Sequence, residues 1–151
     1  MLTNKAKYGI RALCTVASSG TESLQARVIA ARANVPEKFL EAILVDLRRA
    51  GFIHSRRGAS GGHVLARPAD QIMVGDVIRA IDGALAPVRC ASLSDYRPCS
   101  DCADPEHCAV RELMRETRAA LSGVLDTCSL QQLMERSRNE SWMQHPAGAF
   151  A

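Results

Sequence analysis

The chain has 151 residues, 47% hydrophobic and 23% charged, which suits one globular unit with an appendage and excludes both wholesale disorder and a large multidomain enzyme. No uncharged apolar run approaches the roughly 20 residues of a membrane helix, and the basic start Met1–Arg11 leads into an apolar stretch too short for a secretion signal, so a cytoplasmic protein with no membrane partner is expected. The net charge of +3 conceals a division: residues 1–67 hold eleven Lys/Arg against four Asp/Glu, residues 68–151 eight against twelve, the pattern of a polyanion-binding module joined to a part with another task.

Residues 4–19 read as an amphipathic helix on the stripe Ile10, Leu13, Cys14 and Ala17, closed by Ser18-Ser19-Gly20. Cys14 is on this reading a small core residue. Residues 25–33 form a second, shorter helix. At Asn34-Val35-Pro36 a capping-type residue and a proline suited to a first helical turn introduce a third, over 37–50. It buries Leu40, Ile43, Leu44 and Leu47, turns Lys38, Glu41, Ala42, Asp46, Arg48 and Arg49 outward, and stops at Gly51. Two short helices with so tight a connection form a helix-turn-helix pattern, whose second helix can lie in the DNA major groove. Directly after it, residues 52–65 give two strand-like runs around a Gly-rich turn with Arg56 and Arg57 at its base, a β-hairpin wing carrying positive charge.

A fourth helix is expected over 72–81, with Val74, Val77, Ile78 and Ile81 at helical spacing and Asp82-Gly83 as its end. Residues 83–108 show no periodicity and hold three of the six prolines, and a loop of that length in a compact protein is usually functional or disordered. From Ala109 the pattern is helical for about four turns, with Val110, Leu113, Met114, Thr117, Leu121, Val124 and Leu125 near one stripe. So wide an apolar face must pack on its own chain or on its equivalent in a second subunit. Cys128 packs before a last short helix through Arg136, opened by the capping-box pattern Ser129-Leu-Gln-Gln132. Residues 137–151 read as a frayed tail, in which nothing demands that Trp142 dock.

Four of the six cysteines crowd into the long loop as Cys90-x8-Cys99-x2-Cys102-x5-Cys108. Four soft ligands on flexible spacers can close a tetrahedral or cluster site. Structural zinc prefers two Cys-x2-4-Cys pairs and finds one here. A dithiol redox catalyst using Cys99 and Cys102 would place its Cys-x2-Cys at a helix start after a strand. Iron–sulfur clusters tolerate irregular spacing and are favoured on pattern.

The segments Leu2–Leu13, Phe39–Gly51, the Arg57–Leu65 wing and Val74–Ile81 together resemble the iron–sulfur cluster regulator and nitric-oxide-sensitive repressor (IscR/NsrR-type) family over about residues 1 to 136. The resemblance implies a homodimeric winged helix-turn-helix transcription regulator, mainly α with a small β-hairpin wing, dimerised through the long helix after the loop. By the same resemblance Cys90, Cys102 and Cys108 match the family's three cysteines. Where relatives carry a histidine ligand three positions after the last cysteine this chain has Arg111, and where others carry an acidic ligand in the first helix it has Lys7-Tyr8. Cys99 is therefore expected as fourth ligand, with His107 in reserve, to a 2Fe–2S or 4Fe–4S cluster.

The expected organisation is a winged helix-turn-helix over 1–83, a cluster-binding loop over 84–108, a dimerisation helix and short terminal helix over 109–136, and a tail over 137–151. The expected function is that of a DNA-binding transcriptional regulator, a repressor rather than an enzyme, whose affinity for a double-stranded operator is switched by its cluster as a sensor of iron–sulfur status, redox state or nitric oxide. Its DNA contacts are expected from Lys5, Lys38, Glu41, Arg48, Arg56, Arg57 and Ser60. The other classes are a thiol–disulfide protein acting through Cys99 and Cys102, and a zinc-stapled DNA-binding protein with no sensing role.

Overall fold

Helix α1 (Asn4–Ser18) begins where the Thr3 hydroxyl accepts the Ala6 N–H at 3.2 Å, meeting one of the donors that a first turn leaves free. It ends at Ser19, and Gly20, with φ 63°, turns the chain away. The computed structural model describes residues 2–58, 61–102 and 104–138. Leu13 is fully buried, while Ile10, Cys14 and Ala17 of the expected stripe pack against the core at its edge.

Helix α2 (Ala26–Ala33) ends at Asn34, which sits in the left-handed region at φ 50°. The asparagine expected to open the third helix therefore closes the second, a position that asparagine tolerates better than other residues bearing a side chain. Pro36 stands one place before α3 (Glu37–Arg49), and its carbonyl accepts the N–H groups of Phe39 and Leu40. The wing is β1 (Ile53–Arg56) paired antiparallel with β2 (Gly62–Leu65), Ile53 opposite Leu65 and Arg56 opposite Gly62. Leu24 pairs with His63 through two backbone hydrogen bonds of 2.8 and 3.1 Å, so the wing is anchored to the α1–α2 connection. Gly62 makes this possible, because a Cβ there would stand 2.5 Å from the Leu24 carbonyl oxygen.

Helix α4 (Val74–Asp82) starts two residues later than its periodicity predicts. Ile72 and Met73 are engaged in backbone pairing instead: Leu130 N–H donates to the Ile72 carbonyl at 2.8 Å and Val74 N–H to that of Cys128 at 2.9 Å. Helix α5 (Ala109–Leu125) follows the long loop, and α6 (Leu130–Arg138) opens on the expected capping box: Ser129 N–H donates to Gln132 Oε1 and Gln132 N–H to Ser129 Oγ. Leu130 is buried in the same cluster as Leu13, Ile29, Leu40 and Ile72, so the core is shared by residues before 83 and after 128. Helix α6 runs two residues into the span expected as tail, and the rest of that span, with Trp142, lies outside the described residues.

Two features position the functional surfaces. Gly9 lets α1 and α4 touch, since a Cβ on it would meet Ile81 Cδ1 at 2.3 Å. Helix α5 buries none of its residues: Val110 and Val124 are 65% and 62% exposed, and Leu113 and Leu121 share the same unpartnered stripe. Among the described residues no helix is long and apolar enough to cross a membrane.

Candidate cluster site and nucleic-acid interface

Lys38, Glu41, Ala42 and Arg48 are exposed on α3, as their spacing predicts. Glu41 makes no ion pair with Lys38, Arg48 or any other group among the described residues. Phe39, absent from the expected set, is 51% exposed, with Lys38 Nζ 5.0 Å from its ring centroid. Its signal was its place beside Leu40, one position off the stripe Leu40, Ile43, Leu44 and Leu47. Asp46, expected to face outward, is half-buried and holds Lys5 Nζ at 2.6 Å, which ties α1 to α3 and partly meets the charge of one expected DNA contact. Arg56 and Arg57 are exposed on the wing, and Arg48 lies close enough to it that burial first, and then the Arg48 charge, lowers the pKa of His63. Ser60 lies outside the described residues.

The loop cysteines act on one another's acidity: Cys90 first, and then burial, raises the pKa of Cys99, while burial, and then Cys108, raises that of Cys102. Cys108 moves the other way. It is the N-cap of α5, and the Arg111 backbone N–H donates to its sulfur at 3.4 Å, lowering its pKa. No three His, Cys, Asp or Glu side chains among the described residues converge on one point. His107 is 85% exposed in its side chain, with Nδ1 at 2.7 Å from Asp104 Oδ2. Cys14 and Cys128 stand apart from the loop, and burial, then Cys128, pushes the Cys14 thiol up to about 11.

Two arginines of α5 brace the loop from behind, and sequence reasoning gave neither a role. Arg111 donates through Nε to the Cys90 carbonyl at 3.1 Å and through Nη1 to the Pro105 carbonyl at 2.8 Å, with its guanidinium over the Tyr96 ring. Arg118 donates to the Ala91 carbonyl. Cys90 rides on the single 3-10 turn Arg89–Ala91 and is buried, so the turn that presents it is held to α5 through its backbone. Only a fold brings residues 21 and 27 positions apart together, and no local pattern announces it. The donor set fits an iron–sulfur centre: four soft thiols, two of them at the start of a helix or on a braced turn.

A family model for Rrf2, described as an iron-dependent transcriptional regulator, matches residues 2–136. The rrf2 protein of Nitratidesulfovibrio vulgaris is 37% identical over 134 residues, covering 88% of this chain and 86% of that protein. The HTH-type transcriptional regulator CymR of Bacillus subtilis is 34% identical over 140 residues, covering 92% and 93%. Among solved structures, that of CymR, the global cysteine regulator of B. subtilis, superposes with a TM-score of 0.73 at 33% identity over 90% of this chain and 97% of that one. IscR of T. potens gives 0.71 at 27% identity over 91% and 88%. The expected helical architecture with a two-stranded hairpin is that of these regulators.

Proposed function

The chain belongs to the Rrf2 family of transcriptional regulators, and from that premise we propose that it is a homodimeric repressor whose operator affinity is set by an iron–sulfur cluster on Cys90, Cys99, Cys102 and Cys108. Residues 1–83 bind DNA, 84–108 hold the cluster, and within 109–136 the long helix α5 forms the dimer contact while the short α6 packs on the core of the DNA-binding half. The observation that carries this reading is that Arg111, in the first turn of α5, joins the two outer cysteines of the loop: its side chain donates to the Cys90 carbonyl at 3.1 Å and its backbone N–H to the Cys108 sulfur at 3.4 Å, with Cys99 and Cys102 on the chain between them. Four thiolates suit a 2Fe–2S or a 4Fe–4S centre, and their irregular spacing with a single Cys-x2-Cys pair favours either over a structural zinc. Cys108, and neither Cys99 nor Cys102, stands at a helix start, which disfavours a dithiol catalyst formed by the latter two.

When bound, the cluster supplies a centre whose oxidation, nitrosylation or loss reports on redox state, nitric oxide or iron–sulfur supply. The chain's own residues carry any change in the loop to the DNA face. Arg111 and Arg118 tie the Cys90 turn to α5, and Asp126 at the end of α5 is bonded to Arg79 of α4. Helix α4 meets α1 where Ile81 lies on Gly9 and where Asp82 accepts from Thr3, and α1 is held to α3 by Lys5 and Asp46. Each link is a packed or hydrogen-bonded contact, so a shift of the loop biases the orientation of α3 and the wing. The apolar stripe of α5, left bare on one chain, is covered by its equivalent in the dimer, which sets the spacing of two half-sites.

The experiment is anaerobic purification followed by visible absorption and analysis of iron, zinc and sulfide, for the native chain and for Cys90→Ala, Cys99→Ala, Cys102→Ala and Cys108→Ala. Each of the four is expected to lose the cluster, whereas Cys14→Ala and Cys128→Ala keep it. A fully loaded Cys99→Ala would remove that residue from the ligand set, and zinc without sulfide in the native chain would overturn the cluster reading.

A further inference from the structure

Three cations gather in a groove outside the face formed by α3 and the wing. Lys7 and Arg11 stand one turn apart on α1, and Arg27 stands in the first turn of α2. With Tyr8, Asn34 and Glu37 they line an open groove of about 600 Å3 between α1 and the turn that leads into α3. None of the three cations makes an ion pair among the described residues, and neither does Glu37. Unpaired like charges around one concavity repel each other in the free protein, and an anion seated among them relieves that repulsion.

The groove is continuous with the recognition surface. Tyr8 lines it on one side and, on the other, a hollow of about 380 Å3 shared with Asn4, Lys5, Phe39 and Ala42. The tyrosine is thus a ridge between the exposed start of α3 and the three cations. A duplex that admits α3 into its major groove carries a phosphate strand along each side of that groove, and the concavity, lined also by Pro36 and Glu37, opens beside the start of α3.

We propose that this groove seats the DNA backbone, Lys7, Arg11 and Arg27 holding phosphates of the strand that flanks the major groove occupied by α3. The proposal rests on the winged helix reading of the DNA contact and adds residues to it. Phosphate contacts of this kind fix register and strength and carry no base preference. They make binding salt-dependent, because each neutralised phosphate releases condensed counterions.

The test is titration of a scrambled-sequence duplex at several salt concentrations, with the native chain, the double variant Lys7→Ala/Arg27→Ala, its charge-preserving counterpart Lys7→Arg/Arg27→Lys, and Arg57→Ala on the wing. The alanine pair should flatten the dependence of log affinity on log salt by about two units, and Arg57→Ala by about one. The charge-preserving pair should keep the native slope, and melting should be the same throughout, since Lys7 and Arg27 are exposed. A native slope in the alanine pair with a reduced one in Arg57→Ala overturns the groove and leaves the winged helix reading standing. A native slope in both overturns that reading and the groove with it. A slope lost equally in the charge-preserving pair assigns the effect to folding and overturns the proposal.

Discussion

Arg79 and Asp126 meet through two parallel hydrogen bonds, Nη1 to Oδ1 and Nη2 to Oδ2, each 2.7 Å long. The pair joins α4 of the DNA-binding half to the end of the long helix, 47 residues away in sequence. Gly75 makes room for it, because a Cβ at that position would stand 1.9 Å from Asp126 Oδ1. Such a fork between guanidinium and carboxylate fixes direction as well as distance, so α5 cannot turn without pulling on α4.

The latch has a pH signature. The hydrogen bond from Arg79, with the Arg79 charge, holds the Asp126 carboxyl below the usual carboxylate range. The native state therefore takes up this proton less readily than the unfolded state. The stabilisation is full above the usual carboxylate range and is lost as pH falls through the native value. Asp126→Asn should lower stability at neutral pH by less than about 1 kcal/mol, given the partial exposure of both side chains, and its urea midpoint should converge with that of the native chain in acid. Gly75→Ala gains about 1 kcal/mol of helix propensity yet should abolish the same acid-side step. An acid transition identical in all three chains would show that the pair carries no linkage.

The arginine brace predicts a local effect. Arg111→Ala removes the donors to the Cys90 and Pro105 carbonyls, so amide exchange in the loop and tryptic cleavage at Arg89 should quicken in the metal-free chain. Arg111→Lys should not restore protection, since a single ammonium cannot reproduce the fork. Unchanged exchange in Arg111→Ala would show that the loop is held by other means.

Much of this architecture was legible in the chain, and the parts that were not have a common cause. The stripe Leu40, Ile43, Leu44 and Leu47 located α3 because a period of 3.6 is a local signal, and the reciprocal bonds of Ser129 and Gln132 were legible for the same reason. Asn34 was misplaced by one helix because it suits the end of one helix as well as the start of the next, and only its left-handed backbone decides. Ile72 has the spacing of a helical residue, but its carbonyl is claimed by Leu130, far along the chain. Leu24 beside His63 and Arg111 beneath Cys90 are likewise tertiary. The clustering of four cysteines was visible in the sequence, and the bracing of the Cys90 turn against α5 was not.

The bare stripe on α5 predicts the oligomer. Val110→Glu and Val124→Glu place charges at positions that are 65% and 62% exposed on one chain, so neither should harm the fold of the monomer. Both should convert a sedimenting dimer to a monomer with weak operator binding. A native chain that sediments as a monomer and still binds an operator tightly would contradict the dimer.

Glu41 separates sequence reading from simple attraction. A carboxylate on the exposed face of α3, with no cation paired to it among the described residues, repels phosphate, and its favourable base partner is the cytosine amino group. Glu41→Ala should reduce discrimination between operator and scrambled duplex by about tenfold or more, the worth of one base contact of 1–3 kcal/mol, while leaving or raising nonspecific affinity. Lys38→Ala should weaken both duplexes evenly. An unchanged specificity ratio in Glu41→Ala would return that residue to a solvated role.

The central claim is that the occupancy of the cysteine loop sets the affinity of the winged helix for DNA. Its most direct test is the operator dissociation constant of one anaerobic preparation, measured with the cluster intact and again after its removal, with iron and sulfide counted in both. The loaded form should carry about two or four irons and as many sulfides per chain, and the dissociation constant should change by about tenfold or more between the two states, a coupling of roughly 1.4 kcal/mol or more. A loaded and a stripped protein that bind the operator equally tightly would contradict it.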